Sequence, residues 1–190
     1  MNWLAHLLLS EPSPEFRIGN LLPDILGPSE LAALPGKFQS GIRRHFRIDA
    51  CTDSHPVVKQ SVRRIRPEYR KYGRVLVDVF YDHILARDWD SHAGVSLEDF
   101  AASVYSSFDA CKDDIPALAF SVLERMRSGD LLCSYRRVDG IRMALNRLDS
   151  RLKKPAALGR AVEELELHYA GFRADFTAFF PDLKALVAVP

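Results

Sequence analysis

Apolar residues recur every three or four positions through most of the chain, which is the spacing of amphipathic α-helices. No run alternates apolar and polar residues between hairpin turns, so strands are not expected. The pattern predicts an all-α protein, a multi-helix bundle in which 1–190 form a single domain. The helices are expected at 2–10, 38–51, 57–66, 73–88, 96–109, 116–128, 134–149 and 156–180.

The helix predicted at 73–88 is apolar on nearly every side, as its sequence RVLVDVFYDHILAR shows. A helix of this kind is typical of the centre of a bundle. Its interior nevertheless carries Asp78, Asp82 and His83. Buried ionisable groups need partners or a cation, because an isolated buried charge costs several kcal/mol or is neutralised. We therefore expect other polar residues to meet this helix.

The segment 11–30, EPSPEFRIGNLLPDILGPSE, is rich in proline and is predicted to be a shaped loop. At most one helical turn is expected in it, at about 20–26. Loops that pack on a rigid scaffold often carry functional residues, and Asp24 lies on this one.

Composition is ordinary for a globular protein, with 47% hydrophobic and 27% charged residues and a net charge of +1. Net charge alone therefore indicates neither nucleic acid nor a membrane as a partner. The distribution is uneven, since residues 37–74 hold eleven basic and three acidic residues. This stretch is either a solvated helix surface or a positive face that attracts an acidic partner.

The three cysteines are scattered along the chain, which favours reduced thiols and a cytoplasmic location over a disulfide framework. The N-terminal sequence MNWLAHLLLSEP lacks the basic region of a signal peptide. No apolar run approaches the roughly 18 to 20 residues that a membrane-spanning helix needs.

Most of the candidate chemistry lies before residue 84. Imidazoles and carboxylates without thiolates form a ligand set for Mn²⁺, Fe²⁺ or Zn²⁺, and a larger share of carboxylates favours Mn²⁺. The residues concerned are His6, Asp24, His45, Asp49, Asp53, His55, Asp78, Asp82 and His83.

Simpler roles are open for several of these residues. His6 can be a packed histidine, Asp53 can cap a helix, and Asp78 can pair with Arg74 one turn earlier. His45 and Asp49 are four residues apart and therefore share one helix face.

Four separated motifs, in order and at matching spacing, resemble the acyl carrier protein phosphodiesterase family. They are MNWLAHLLLS at 1–10, GNLLPD at 19–24, HFRIDACTDSHP at 45–56 and DVFYDHILAR at 78–87. The resemblance implies hydrolysis of the phosphodiester that joins 4′-phosphopantetheine to a serine of holo acyl carrier protein. It also implies an HD-like helical fold, because the family is related to the HD phosphohydrolases, which usually use Mn²⁺.

The resemblance implies a ligand set of Asp24, His45, Asp82 and His83, with His6 and Asp49 either as further ligands or as residues that orient the ligands. Divalent cations other than Mn²⁺ stay open as alternatives. The sequence departs from the HD pattern in one respect. The HD phosphohydrolases are named after an adjacent His-Asp pair, whereas the adjacent pair here, Asp82 and His83, has the reverse order. The expected catalytic residues are Asp49, Asp53 and His55. Asp49 or Asp53 would orient the attacking water or a ligand histidine. His55 is a candidate proton donor to the leaving serine, and Arg47 is an alternative to it.

The residues expected to bind the partner are basic, because they would face the acidic surface of the carrier protein. They are Arg43, Arg44, Arg47, Arg63 and Arg64. Residues 1–90 would then carry the site and 91–190 would support it. Two rival hypotheses stay open, namely a phosphohydrolase of nucleotides or other small phosphodiesters and a non-catalytic binding protein with buried ion pairs in place of a metal.

Overall fold

The structure is a computed structural model that describes residues 1–188. These residues form α-helices joined by short 3₁₀ turns and contain no β-strand, so the all-α prediction is confirmed. In chain order the helices are α1 (Trp3–Leu8), α2 (Pro14–Leu21), α3 (Pro28–Ala32), α4 (Gln39–Ser54), α5 (Pro56–Arg64), α6 (Gly73–Arg87), α7 (Leu97–Ala110), α8 (Ala117–Ser128), α9 (Leu131–Ser134), α10 (Val138–Asp149), α11 (Val162–Leu167) and α12 (Tyr169–Ala188).

Helix α6 is the central helix, as its apolar sequence predicts. Eleven of its fifteen residues are buried. It contacts α1, α5, α10 and α12, so both halves of the chain pack against it. Asp82 and His83 are almost completely buried within these contacts.

The prediction of an irregular loop at 11–30 is wrong for its first part, because Pro14–Leu21 is a regular helix, α2. The side-chain oxygen of Ser13 accepts a hydrogen bond from the backbone N–H of Phe16 and caps the helix. Pro14 occupies the first helical position, where its missing N–H costs nothing. Proline therefore begins this helix instead of preventing it.

Helices α2 and α4 approach each other backbone to backbone at two glycines. A Cβ atom on Gly19 would lie 2.4 Å from the carbonyl oxygen of Phe38, and one on Gly41 would lie 2.2 Å from that of Phe16. Any larger residue at either position would force the helices apart. This close approach places Asn20 beside the turn of α4 that follows Gly41.

The long helix predicted at 156–180 is interrupted. His168 leaves the helical conformation between α11 and α12, and a 3₁₀ turn precedes α11 at Leu158–Ala161. Helix α12 then continues past Pro181. Phe179, Phe180 and Leu183 are buried around that position, and their packing offsets the cost of a proline within a helix. Within the part of the chain that the structure describes, no helix is long and apolar enough to cross a membrane.

Candidate metal centre

Three side chains from two helices converge beside the central helix, namely His6 of α1 and His45 and Asp49 of α4. One potential ligand atom from each lies within 4.8 Å of the others. Asp49 is the meeting point, since its Oδ1 is 3.2 Å from His6 Nε2 and its Oδ2 is 3.1 Å from His45 Nε2. We call His6, His45 and Asp49 the dihistidine cluster. Its donor set suits a divalent cation.

Asn20 orients both histidines of the dihistidine cluster. Its side-chain oxygen lies 3.0 Å from His6 Nδ1, and its backbone oxygen lies 2.8 Å from His45 Nδ1. Each Nδ1 therefore donates a hydrogen bond to an oxygen of Asn20. The two Nε2 atoms are left to face Asp49, which is the arrangement that metal-binding histidines need. Asn20 is itself fully buried, and its amide nitrogen donates to the carbonyl of His6 and to Ser10 Oγ.

The two imidazole rings stack, with their centroids 4.3 Å apart and their planes 16° from parallel. Burial opposes ionisation of Asp49, but hydrogen bonds from His45 and His6 hold its pKa well below the usual range. Burial likewise opposes protonation of His45, yet the hydrogen bond to Asp49 and the charge of Asp24 raise its pKa above the ordinary value. The cluster therefore favours positive charge around an ionised carboxylate.

Asp24 lies at the edge of the dihistidine cluster and is partly exposed to solvent. Its Oδ1 is 3.9 Å from His45 Nε2, and its Oδ2 accepts a 2.7 Å hydrogen bond from the indole of Trp3. Trp3 thereby holds the carboxylate in place and leaves one oxygen directed towards the histidines. Asp24 can complete a ligand set of two imidazoles and two carboxylates.

The amino group of Met1 places a positive charge next to the dihistidine cluster. It lies 3.3 Å from both Asp49 Oδ1 and Asp78 Oδ1. Burial opposes protonation of this amine, but the charges of Asp78 and Asp49 raise its pKa to about 10. Asp78 thus faces Met1, while Arg74, its predicted partner, binds Asp53 instead. The pairing proposed between Asp78 and Arg74 from their spacing is therefore absent.

The structure does not bring Asp82 into the dihistidine cluster. Its two oxygens accept hydrogen bonds from the backbone N–H groups of Leu4 and Ala5, at 2.7 and 3.1 Å. A carboxylate is favourable at the start of a helix, where N–H groups lack partners. Burial raises the pKa of Asp82 to about 8, although these two hydrogen bonds oppose the rise. Asp82 fixes α1, and its predicted role as a ligand stays a prediction.

His83 also lies outside the dihistidine cluster. Its Nδ1 donates a 2.7 Å hydrogen bond to the carbonyl oxygen of Tyr135, while its Nε2 is buried without a hydrogen-bond partner. Burial lowers the pKa of His83, which favours the neutral ring. Its assignment as a ligand stays a prediction, as does that of Asp82.

Asp53 and His55, which we expected to be catalytic, have partners at the other end of α4. Asp53 Oδ2 accepts a 2.8 Å hydrogen bond from Arg74. His55 caps the N-terminus of α5, where its Nδ1 accepts a hydrogen bond from the N–H of Val57, and its Nε2 lies 3.2 Å from Asp182 Oδ2. Neither residue belongs to the group that converges on Asp49.

The five arginines predicted to bind a partner fall into two groups. Arg43 and Arg63 are exposed. The other three make contacts within the molecule: Arg44 donates to the carbonyl of Leu9, Arg47 donates to that of Leu186, and Arg64 binds Asp175.

Asn20 is the residue that sequence reasoning missed. The motif GNLLPD contains it, but an asparagine in a segment expected to be a loop gave no sign of a role. The signal that could have found it is the pair Gly19 and Gly41, because glycines on two neighbouring helices indicate a close approach.

Comparisons with known proteins cover nearly the whole chain. The sequence profile of the family described as "Acyl carrier protein phosphodiesterase" matches residues 1–183. A relative of that name from Enterobacter sp. (strain 638) is 33% identical over 182 residues, which are 95% of this chain and 94% of the relative. One from Escherichia coli O157:H7 (strain EC4115 / EHEC) is 31% identical over 186 residues, 97% of this chain and 96% of the relative. No solved structure matches the chain.

Proposed function

Since the chain belongs to the acyl carrier protein phosphodiesterase family, we propose that it hydrolyses the phosphodiester of holo acyl carrier protein. Water adds to phosphorus and the bond to the serine oxygen breaks. The serine leaves with a proton, so that apo carrier protein and 4′-phosphopantetheine are the products. The observation that carries the proposal is the convergence of His6 and His45 on Asp49, with both Nδ1 atoms held by Asn20.

We infer that the dihistidine cluster and Asp24 hold a divalent cation, and we place Mn²⁺ first because the set contains imidazoles and carboxylates without thiolates. The fit rests on the two Nε2 atoms, which the hydrogen bonds to Asn20 leave available. A cation held by these residues would neutralise charge on the phosphodiester oxygens and would lower the pKa of a bound water.

The protein's own residues supply orientation. Asn20 keeps the imidazoles of His6 and His45 in one tautomer, and Trp3 holds Asp24 by its Oδ2. Asp49 remains ionised at neutral pH because its pKa is lowered, so it neutralises positive charge in the cluster. We also propose a cytoplasmic location, in keeping with the free thiols of Cys51, Cys111 and Cys133.

Intact-protein mass spectrometry of holo acyl carrier protein tests the proposal directly. Incubation with the protein and Mn²⁺ should remove the 4′-phosphopantetheine mass, and EDTA should prevent the loss. The His45→Ala variant is the matched control, because it removes one ligand and leaves the rest of the chain unchanged. An unchanged carrier-protein mass in the complete reaction would exclude the activity, and loss of mass in the presence of EDTA would exclude the role of the cation.

A further inference from the structure

A cavity of about 660 Å³ opens beside the candidate metal centre. Asp24 belongs to both, and Met1, whose carbonyl lies 3.2 Å from His6 Nε2, also lines the cavity. Its other walls come from α6, α8 and α10. Helices α8 and α10 lie in residues 91–190, which were expected only to support the site. The volume is within the range of about 300 to 1,000 Å³ that is typical of small-molecule sites.

The cavity has an apolar floor and a charged mouth. Val79, Met126 and Ala144 are buried at the floor, where a hydrogen bond of 3.0 Å also joins Asn2 to the hydroxyl of Tyr135. Such a floor suits a flexible chain of carbon atoms and amide groups, since a few polar groups among apolar walls set the orientation of a ligand.

Three exposed arginines, Arg125, Arg147 and Arg151, line the mouth of the cavity. None of them has a carboxylate partner among residues 1–188, where the guanidinium of Arg125 donates one hydrogen bond, to Ser121 Oγ at 3.4 Å. By contrast, the neighbouring Arg127 binds both Asp109 and Glu124. Unpaired guanidinium groups around an opening attract an acidic partner.

We propose that this cavity receives the phosphopantetheine arm and that Arg125, Arg147 and Arg151 contact acidic side chains of the carrier protein around it. This inference rests on the proposed function. The phosphate enters beside Asp24 and the dihistidine cluster, and the uncharged remainder of the arm lies over the apolar floor. The arginines at the mouth thus take the role that the sequence analysis gave to the basic residues of α4 and α5.

The Val75→Trp variant tests the cavity, because Val75 lines it and is 42% exposed, so a larger side chain obstructs the cavity without entering the core. Isothermal titration with 4′-phosphopantetheine should show at least about a tenfold loss of affinity. Val95→Trp is the matched control, since Val95 is 55% exposed and lies outside the cavity, and its affinity should equal that of the wild type.

Arg147→Glu tests the mouth, with Arg137→Glu as the matched control near the opposite end of α10. For hydrolysis of holo carrier protein, Arg147→Glu should raise KM about tenfold with kcat within about twofold. Affinity for free 4′-phosphopantetheine should stay unchanged, because the carboxylates that the arginine meets belong to the carrier protein. Arg137→Glu should change neither quantity.

The possible failures are distinguishable. If the wild-type protein leaves holo carrier protein intact, the proposed function falls and this inference falls with it. If the wild type is active but Val75→Trp binds 4′-phosphopantetheine as the wild type does, only the cavity assignment is overturned. If Arg147→Glu and Arg137→Glu have equal KM values, the arginines do not contact the carrier protein.

Discussion

Two carboxylates, Asp49 and Asp175, show how similar groups acquire different roles in one fold. Asp175, in α12, is almost completely buried and accepts hydrogen bonds from Arg64 Nε at 3.0 Å and from Ser61 Oγ at 2.7 Å. Asp49 is less buried and is faced by two imidazoles. A guanidinium keeps its charge at every relevant pH, whereas an imidazole can exchange its proton for a metal. Asp175 therefore joins α5 to α12, and Asp49 is available for chemistry.

The largest expected effect is on activity when Asp49 is removed. Asp49→Ala deletes the group that faces both Nε2 atoms, so hydrolysis of holo carrier protein should fall by at least about a thousandfold. The free energy of unfolding should also fall, by about 1 to 3 kcal/mol, because the buried His6 ring and the Met1 amino group lose the carboxylate that faces them. Steady-state kinetics and urea denaturation check both values. Retained activity would remove Asp49 from the site.

Asp175→Ala should lower the free energy of unfolding with little effect on activity. It leaves Arg64 and Ser61 without their partner, so the free energy of unfolding should fall by about 2 to 4 kcal/mol. Well below the melting temperature, kcat should stay within about twofold of the wild type. Asp182→Ala is the control on the same helix, because Asp182 is 69% exposed and its pair with His55 contributes at most about 1 kcal/mol. Equal losses in both variants would contradict the contrast.

Asn20→Leu should weaken metal binding without removing a ligand. The variant keeps a side chain of similar size but lacks the oxygen that accepts from His6 Nδ1, so Mn²⁺ affinity should fall by about 10- to 100-fold. Thr52→Val is the control, since it removes a buried hydroxyl of α4 whose hydrogen bond goes to the carbonyl of Ile48 and not to the cluster. Calorimetric titration measures both, and an unchanged affinity would show that Asn20 does not orient the histidines.

The smallest expected effect is a dependence of metal affinity on pH at the dihistidine cluster. The raised pKa of His45 means that the folded protein binds this proton more tightly than the unfolded chain does. Its contribution to stability is therefore present below the ordinary pKa of about 6.5 and is lost as pH rises through the raised value. Metal replaces that proton, so Mn²⁺ affinity should rise as the pH increases from below about 6.5 through the raised pKa of His45. Calorimetry across this range checks it, and a flat profile would contradict it.

The central part of the fold could be predicted from the sequence because its signals are local. The unbroken apolar run of α6 and the spacing of apolar residues in α7, α8 and α10 predict these helices well. Helix α2 was missed because its prolines suggested a loop, although Pro14 lies at the one helical position that tolerates it. The break at His168 was missed because the apolar spacing continues through it.

The site was predictable where its residues are neighbours on one helix, as with His45 and Asp49. The partners of Asp82 were not, since hydrogen bonds to Leu4 and Ala5 depend on how α1 meets α6. The arginines around the cavity were also missed, because only the packing of both α8 and α10 against α9 brings Arg125 and Arg147 to one opening.

The anchoring of α1 by Asp82 has a consequence for how the protein gains its activity. A helix of six residues is too short to persist alone in water, so the order of α1 depends on Asp82 of α6, which accepts hydrogen bonds from its N–H groups. We therefore expect His6 to reach its partners late in folding. Under mild denaturation, hydrolysis should accordingly disappear while most of the helical circular dichroism signal persists.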